Sequence, residues 1–294
     1  MDIIILFLFS AQPGKKWDPV LVQTIITKAT KERKKDITGL AILDNELYVV
    51  SQMSSYIEIY DLIKVSFIRR SNLTEMVDPK DIGSNNKNKC LYILDYKGRG
   101  HLKEMLIVDP SGKLVKSWST GNDYGWGLSV TYEWSVIFAV CDKNKLNEYS
   151  PDGQLIREIT LSADAGIRHA LHAVKLTNGD FVVSHGDDLH RVCIIDANGK
   201  LKKSFGGKPG STTEQINLPF YLSVDGTGFV MVSDQLNHRV LLLDSELQFQ
   251  REVLSKRKHG LQYPERILLD ESNGRLFAAD NDANNQRLLV FNFR

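Results

Sequence analysis

Tyr221–Asp244 reads YLSVDGTGFVMVSDQLNHRVLLLD. Three apolar runs stand in it: YLSV, FVMVSD and RVLLLD. Runs this short and this rich in aliphatic and β-branched residues are strands rather than helices. Gly-Thr-Gly separates the first two, and glycine supplies the positive φ that a tight hairpin needs. A fourth run, QFQREVLS, follows at Gln248–Ser255. The unit is therefore four short strands joined by turns.

Working outward, the same grammar recurs. After His172 come AVKL, FVVS, RVCIID and LKKSFGG, and from Arg266 come RILLD, RLFAAD and RLLVFNF. Upstream lie GLSVT, SVIFAVCD, NEYS and QLIREITL, then KDIGS, CLYILD, EMLIVD and KLVKSWST, then GLAIL, LYVVS and IEIYDL. Third strands end at Asp61, Asp109, Ser150, Asp196, Asp244 and Asn292. A period of roughly 40–50 residues with four strands each is that of a β-propeller. The sixth unit stops after its third strand at Phe293, which would leave an unpaired edge. Val20–Thr27, VLVQTIIT, has strand character and can fill that place. The expectation is an all-β, six-bladed β-propeller over residues 20–294, with four-stranded antiparallel blades starting near residues 37, 79, 125, 169, 218 and 263. An N-terminal strand completes the last blade, and residues 1–19 form an N-terminal extension.

Two units carry a further pattern: LPFYLSVDGTGFVMVSDQLNHRVLLLD and LQYPERILLDESNGRLFAAD. Proline, a strand ending in Val-Asp, glycine, a strand ending in Asp, then Asn-x-Arg and another strand together resemble NHL repeats. The resemblance is strong in blade five, fair in blades four and six, and degraded in blades one to three. In blade four Arg191 keeps the arginine place, but His185 and Leu189 replace the aspartate and asparagine. NHL propellers are best known as C-terminal domains of tripartite-motif proteins. This chain lacks the RING, B-box and coiled-coil segments, so the resemblance implies a binding module and not a ligase. Asp234, Asn237, Arg239, Asp280 and Arg287 are read as structural repeat residues, holding loops through carboxylate and guanidinium hydrogen bonds.

Composition narrows the partner. The chain has 294 residues, with 37 Lys plus Arg against 36 Asp plus Glu. Near-neutrality gives no global attraction to nucleic acid or anionic membrane. Cys90, Cys141 and Cys193 lie in apolar runs and read as buried free thiols in a reducing compartment. The opening MDIIILFLF has Asp2 where a secretory signal carries a basic residue, and Phe9 where a small residue precedes cleavage. A cytoplasmic location is expected over secretion.

No nucleophile elbow, P-loop or dinucleotide fingerprint appears. The expected innermost-strand starts are Gly39, Asp81, Trp126, His172, Tyr221 and Arg266. One histidine and one carboxylate fall short of the several convergent ligands a catalytic metal needs. His185, Asp187, Asp188 and His190 form a local group weighed as a metal site and set aside. No metal or cofactor is expected, and no catalytic residue is assigned.

The loop face offers more. Tyr96, Arg99, Tyr124, Trp126, His172, Tyr221 and Arg266 are expected there as an aromatic and cationic interaction surface. Lys31, Arg33, Lys34, Lys35, Lys256, Arg257 and Lys258 form a candidate basic rim near blades six and one. The reading is a monomeric, non-enzymatic scaffold for a protein partner. RNA or phosphate binding on the basic rim is the alternative, and a metal-dependent hydrolase or lyase the third.

Overall fold

Each four-run unit folds as one antiparallel sheet. The computed structural model describes residues 19–27, 35–97, 102–162, 166–186, 189–282 and 285–293. The blades span 37–72, 79–119, 128–160, 170–207, 219–255 and 264–293, and the strand Pro19–Ile25 completes the last. The ring is thus a six-bladed propeller of four-stranded blades, and among the described residues its one α-helix is the short turn Lys256–His259. Among the described residues no helix is long and apolar enough to cross a membrane.

Burial explains why the middle strands read as unbroken apolar runs. Val136–Val140 and Phe181–His185 are buried at every residue, because neighbouring blades cover both faces. Outer strands such as Leu201–Gly207 instead carry alternating exposed and half-buried residues. Six apolar clusters result, one between each pair of neighbouring blades. Tyr48, Ile59, Ile82 and Ile93 join blades one and two, and Tyr221, Ile267, Leu276 and Phe291 join blades five and six.

The recurrent aspartate after the third strand is a turn device. The Oδ1 of Asp109, Asp196 and Asp244 accepts backbone N–H groups two and four residues on. The carboxylate does the work that a backbone acceptor would do in a tighter turn. Cys90, Cys141 and Cys193 are buried and none is in a disulfide.

Closure rests on the chain ends. Pro19–Ile25 pairs antiparallel with the last strand, Asn285–Phe293, from Pro19↔Phe293 to Ile25↔Leu288. Ile25 enters the apolar cluster of Ile37, Phe277, Leu288 and Val290 between blades six and one. Asn281 adds a polar latch at the same seam: its Nδ2 donates to the Ile37 carbonyl at 2.9 Å and its Oδ1 accepts the Ile37 N–H at 3.0 Å.

This seam predicts an asymmetry along one strand. Ile25→Ala should cost about 2–4 kcal/mol of unfolding free energy, because a buried side chain leaves a cavity. Leu21→Ala, at a position 42% exposed, should stay within about 0.5 kcal/mol. Equilibrium guanidinium unfolding of the two variants checks both.

Candidate functional site

The repeat aspartates anchor the connections between blades. Asp234 accepts the Asn217 N–H at 2.7 Å and the Arg239 Nε at 2.6 Å. Arg239 then donates to the carbonyls of Ser211, Thr212 and Gln215, and Asn237 to that of Gly210. One carboxylate thus fixes the whole incoming loop of blade five. In blade six Asp280 accepts the N–H groups of Gln262 and Tyr263, and Arg287 bridges Asp280 to the Gly260 carbonyl.

Blade two keeps the aspartate at Asp95, a residue not singled out in the sequence, where it accepts the Val77 and Asp78 N–H groups. Its cross-strand neighbour is Glu104 in place of arginine. Blade three puts Lys145 in the arginine place, and the lysine reaches Asp123 at 3.2 Å. The carboxylate there comes from the incoming loop. In blade four His185 stands opposite Arg191, as Asp234 stands opposite Arg239.

Bulges position the next layer. The pairing of the innermost strand shifts register at Ile37/Gly39, Pro79/Asp81, Ala170/His172, Pro219/Leu222 and Pro264/Arg266. A bulge re-aims the side chains beside it. Asp81, His172, Tyr221 and Arg266 consequently meet inside the ring. Their burial there is nearly complete, with His172 and Arg266 each 2% exposed and Asp81 0%. The structure therefore places His172, Tyr221 and Arg266 deeper than the loop face.

The four residues form one polar plug. The Tyr221 ring stacks on the His172 imidazole with centroids 3.8 Å apart. The Tyr221 hydroxyl donates to Asp81 Oδ2 at 3.1 Å, and the same oxygen accepts the Leu128 N–H at 2.9 Å. Arg266 Nη2 crosses the channel to the carbonyls of Lys80 at 2.7 Å and Trp126 at 3.0 Å. Its Nε lies 3.6 Å from Asp81 Oδ1. One side chain of blade six so ties blades two and three.

Protonation follows from the geometry. His172 Nε2 lies 3.1 Å from the Leu128 carbonyl, which can only accept, so Nε2 carries the proton. Its Nδ1 accepts the Leu222 N–H at 3.3 Å. Burial pushes its pKa down to about 3, with Arg266 adding to the effect, and the ring is neutral. Both nitrogens are engaged, which leaves none for a metal or a substrate. Burial pushes Asp81 up to about 6, against the opposing pull of Arg266 and the hydrogen bonds. Among the described residues no group of three His, Cys, Asp or Glu is placed to hold a metal ion. Asp187 and Asp188 lie outside the described residues.

Above the plug, the loop face carries half-buried aromatics. Tyr96 and Tyr124 have centroids 5.5 Å apart, Tyr124 and Trp126 5.4 Å, and Trp126 and Phe220 6.4 Å. Tyr96 is locked through its hydroxyl, which donates to the Gly125 carbonyl and accepts the Gly125 N–H at 2.8 Å. Lys103 Nζ sits 4.9 Å from the Tyr124 centroid, and Lys80 Nζ 5.5 Å from those of Tyr96 and Trp126. These are cation–π distances. The sequence did not single out Lys80; its only signal is its place before Asp81 at the start of an innermost strand. Lys256, Arg257 and Lys258 are exposed on the short helix. Lys31, Arg33, Lys34 and Arg99 lie outside the described residues, and Lys35 is half-buried at their edge.

No family model and no curated protein matches the chain. Solved structures do. A protein of unknown function from Bacteroides caccae superposes with a TM-score of 0.57 at 14% identity, covering 84% of this chain and 93% of its own. Kuenenia stuttgartiensis hydrazine synthase gives 0.61 at 12%, covering 86% of this chain and 95% of the other. At such identities the likeness is one of fold alone.

The plug yields a pH-dependent expectation. Arg266→Met leaves the buried Asp81 without its cation, and about 3–5 kcal/mol of stability should be lost at pH 7.5. The carboxyl pKa then rises beyond its present value of about 6. A raised carboxyl favours folding below its unfolded pKa of about 3.9, and that contribution disappears as pH climbs through the folded value. The deficit should therefore shrink at pH 5, as read by urea unfolding at the two pH values.

Proposed function

We propose that this protein is a non-enzymatic interaction scaffold that docks a protein partner on the loop face. The observation that carries the reading is the aromatic array Tyr96–Tyr124–Trp126–Phe220 with Lys80 and Lys103 over its rings. Half-buried aromatics held rigid from below are what binding hot spots are made of, since little side-chain freedom is left to lose. Lys80 is buried and paired with Asp78 at 2.7 Å, so it is Lys103 that favours a partner segment with carboxylates or exposed carbonyls at its edge. The NHL-like pattern of blades four to six supports the same reading, because those repeats belong to binding domains.

The channel supports it from the other side. Asp81 and His172 have the chemistry of an acid–base pair, but each is already hydrogen-bonded to backbone within the plug. General acid–base work needs a group within reach of substrate and free to exchange a proton. Here the two groups brace the ring.

The test is capture of partners by immobilised protein, quantified against variants. Tyr124→Ala combined with Trp126→Ala should reduce retained partner at least about tenfold, the loss expected from hot-spot truncation. Leu155→Ala, at a residue 50% exposed on the outer strand of the same blade, should retain it. Equal retention by both variants, with melting temperatures unchanged, would reject the loop face as the docking surface.

A further inference from the structure

The opposite face of the ring is built from the turns between first and second strands. It holds a cleft of about 660 Å³ over blades three to five. A hollow of about 360 Å³ continues from it down the channel to His172 and Tyr221. The two share Ser84, Asn86, Val130, Val174 and Val224 in their walls. Ligand pockets commonly fall between about 300 and 1,000 Å³.

One turn in this cleft is unlike its siblings. In blades four and five the turn residue at positive φ is Gly179 (87°) and Gly228 (90°). Each donates its N–H to the residue three back. In blade three the same hydrogen bond runs from Trp134 to Thr131, and Trp134 holds φ 72°. A bulky side chain in the left-handed region is sterically unfavourable where glycine is not. Tyr132, on the same turn, is 59% exposed. Partial burial, then the carboxylates of Glu271 and Asp225, raise its hydroxyl pKa. Tyr132 and Trp134 both line the cleft. Two aromatics converge on one cleft, one exposed and one held against its backbone preference.

The electrostatics select against an anion. Each lysine of the cleft already has a carboxylate: Lys175 pairs with Glu148 at 3.2 Å and Glu133 at 3.5 Å, Lys202 with Asp180 at 2.6 Å, and Lys203 with Glu246. Asp225 spends its Oδ1 on the Thr227 and Phe229 N–H groups. Asn178 and Thr227 are exposed on the rim; Asn178 gives one amide hydrogen to Asp180 and Thr227 its hydroxyl hydrogen to Asp225, which leaves a second amide hydrogen and the hydroxyl lone pairs for a ligand. Paired ions, amides and hydroxyls can both donate to and accept from a neutral polar ligand. Aromatic faces cover its apolar side.

From these features we infer that the cleft binds a short neutral saccharide, stacked on Tyr132 and Trp134 and hydrogen-bonded along Asn178 and Thr227. The inference is independent of the loop-face reading, since it uses the other end of the ring.

The experiment titrates the protein with maltotriose, cellotriose and triacetylchitotriose, followed by tryptophan fluorescence and saturation-transfer NMR. Inorganic tripolyphosphate serves as the anionic comparison. At least one trisaccharide should saturate with a Kd of about 1 mM or below, and tripolyphosphate should not displace it. Tyr132→Ala should weaken binding at least about tenfold, as expected of an aromatic anchor. Trp134→Gly should weaken it as much while the melting temperature holds or rises, because glycine suits the turn. That pairing separates a ligand contact from a folding contact. The inference is overturned if none of the three saturates by about 10 mM, if tripolyphosphate binds in their place, or if binding survives both substitutions.

Discussion

A β-sheet with an open side must bury that side somewhere, and in a ring of blades every blade is buried by its neighbours. The ring therefore stands only if its last gap is filled. Here the gap is filled by seven residues, Pro19–Ile25, laid along the final strand. Ile25 completes the apolar cluster between blades six and one, and Asn281 stitches the same seam with two hydrogen bonds to Ile37. The other five interblade clusters form between sequence neighbours. This one joins residues more than 240 positions apart, so the loop-closure cost of the fold is concentrated in it.

Inside the closed ring, the polar plug depends on the same geometry. Arg266 reaches backbone carbonyls 186 and 140 residues away, and it does so because six innermost strands converge on one axis. A buried guanidinium near a buried carboxylate is a weak source of net stability. Its better-supported effect is on register: Arg266 fits only if blades two, three and six stand in their proper places. The plug also divides the molecule. Aromatics and lysines lie on one side of it, and the cleft with the channel hollow lies on the other.

The architecture was legible in the sequence because its determinants are local. Turn glycines, the aspartates that cap the third-strand turns, and middle strands buried on both faces all leave marks within a dozen residues. The missing strand of blade six was legible as well, from the unpaired edge it would leave. The plug was not. Asp81, His172, Tyr221 and Arg266 were readable as members of one ring, but their direction depends on the bulge beside each of them. A period-of-two reading fails across a bulge, so the sequence suggested the loop face where the chain turns inward. The blade-three anchor escaped for another reason. Asp123 and Lys145 exchange the usual origin of the carboxylate, and a pattern written as aspartate-then-arginine passes over it.

The pairing at the seam also fixes how the ring responds to force. Pro19 lies opposite Phe293, so the two ends of the described chain leave the molecule side by side. Tension between them pulls two directly paired residues apart. The ladder bonds lie across the strands, and they would be loaded one after another from that end, as in a zipper, instead of together in shear. The propeller is thus mechanically softest along a single line, and a load carried through both ends of the described chain would open it at blade six first.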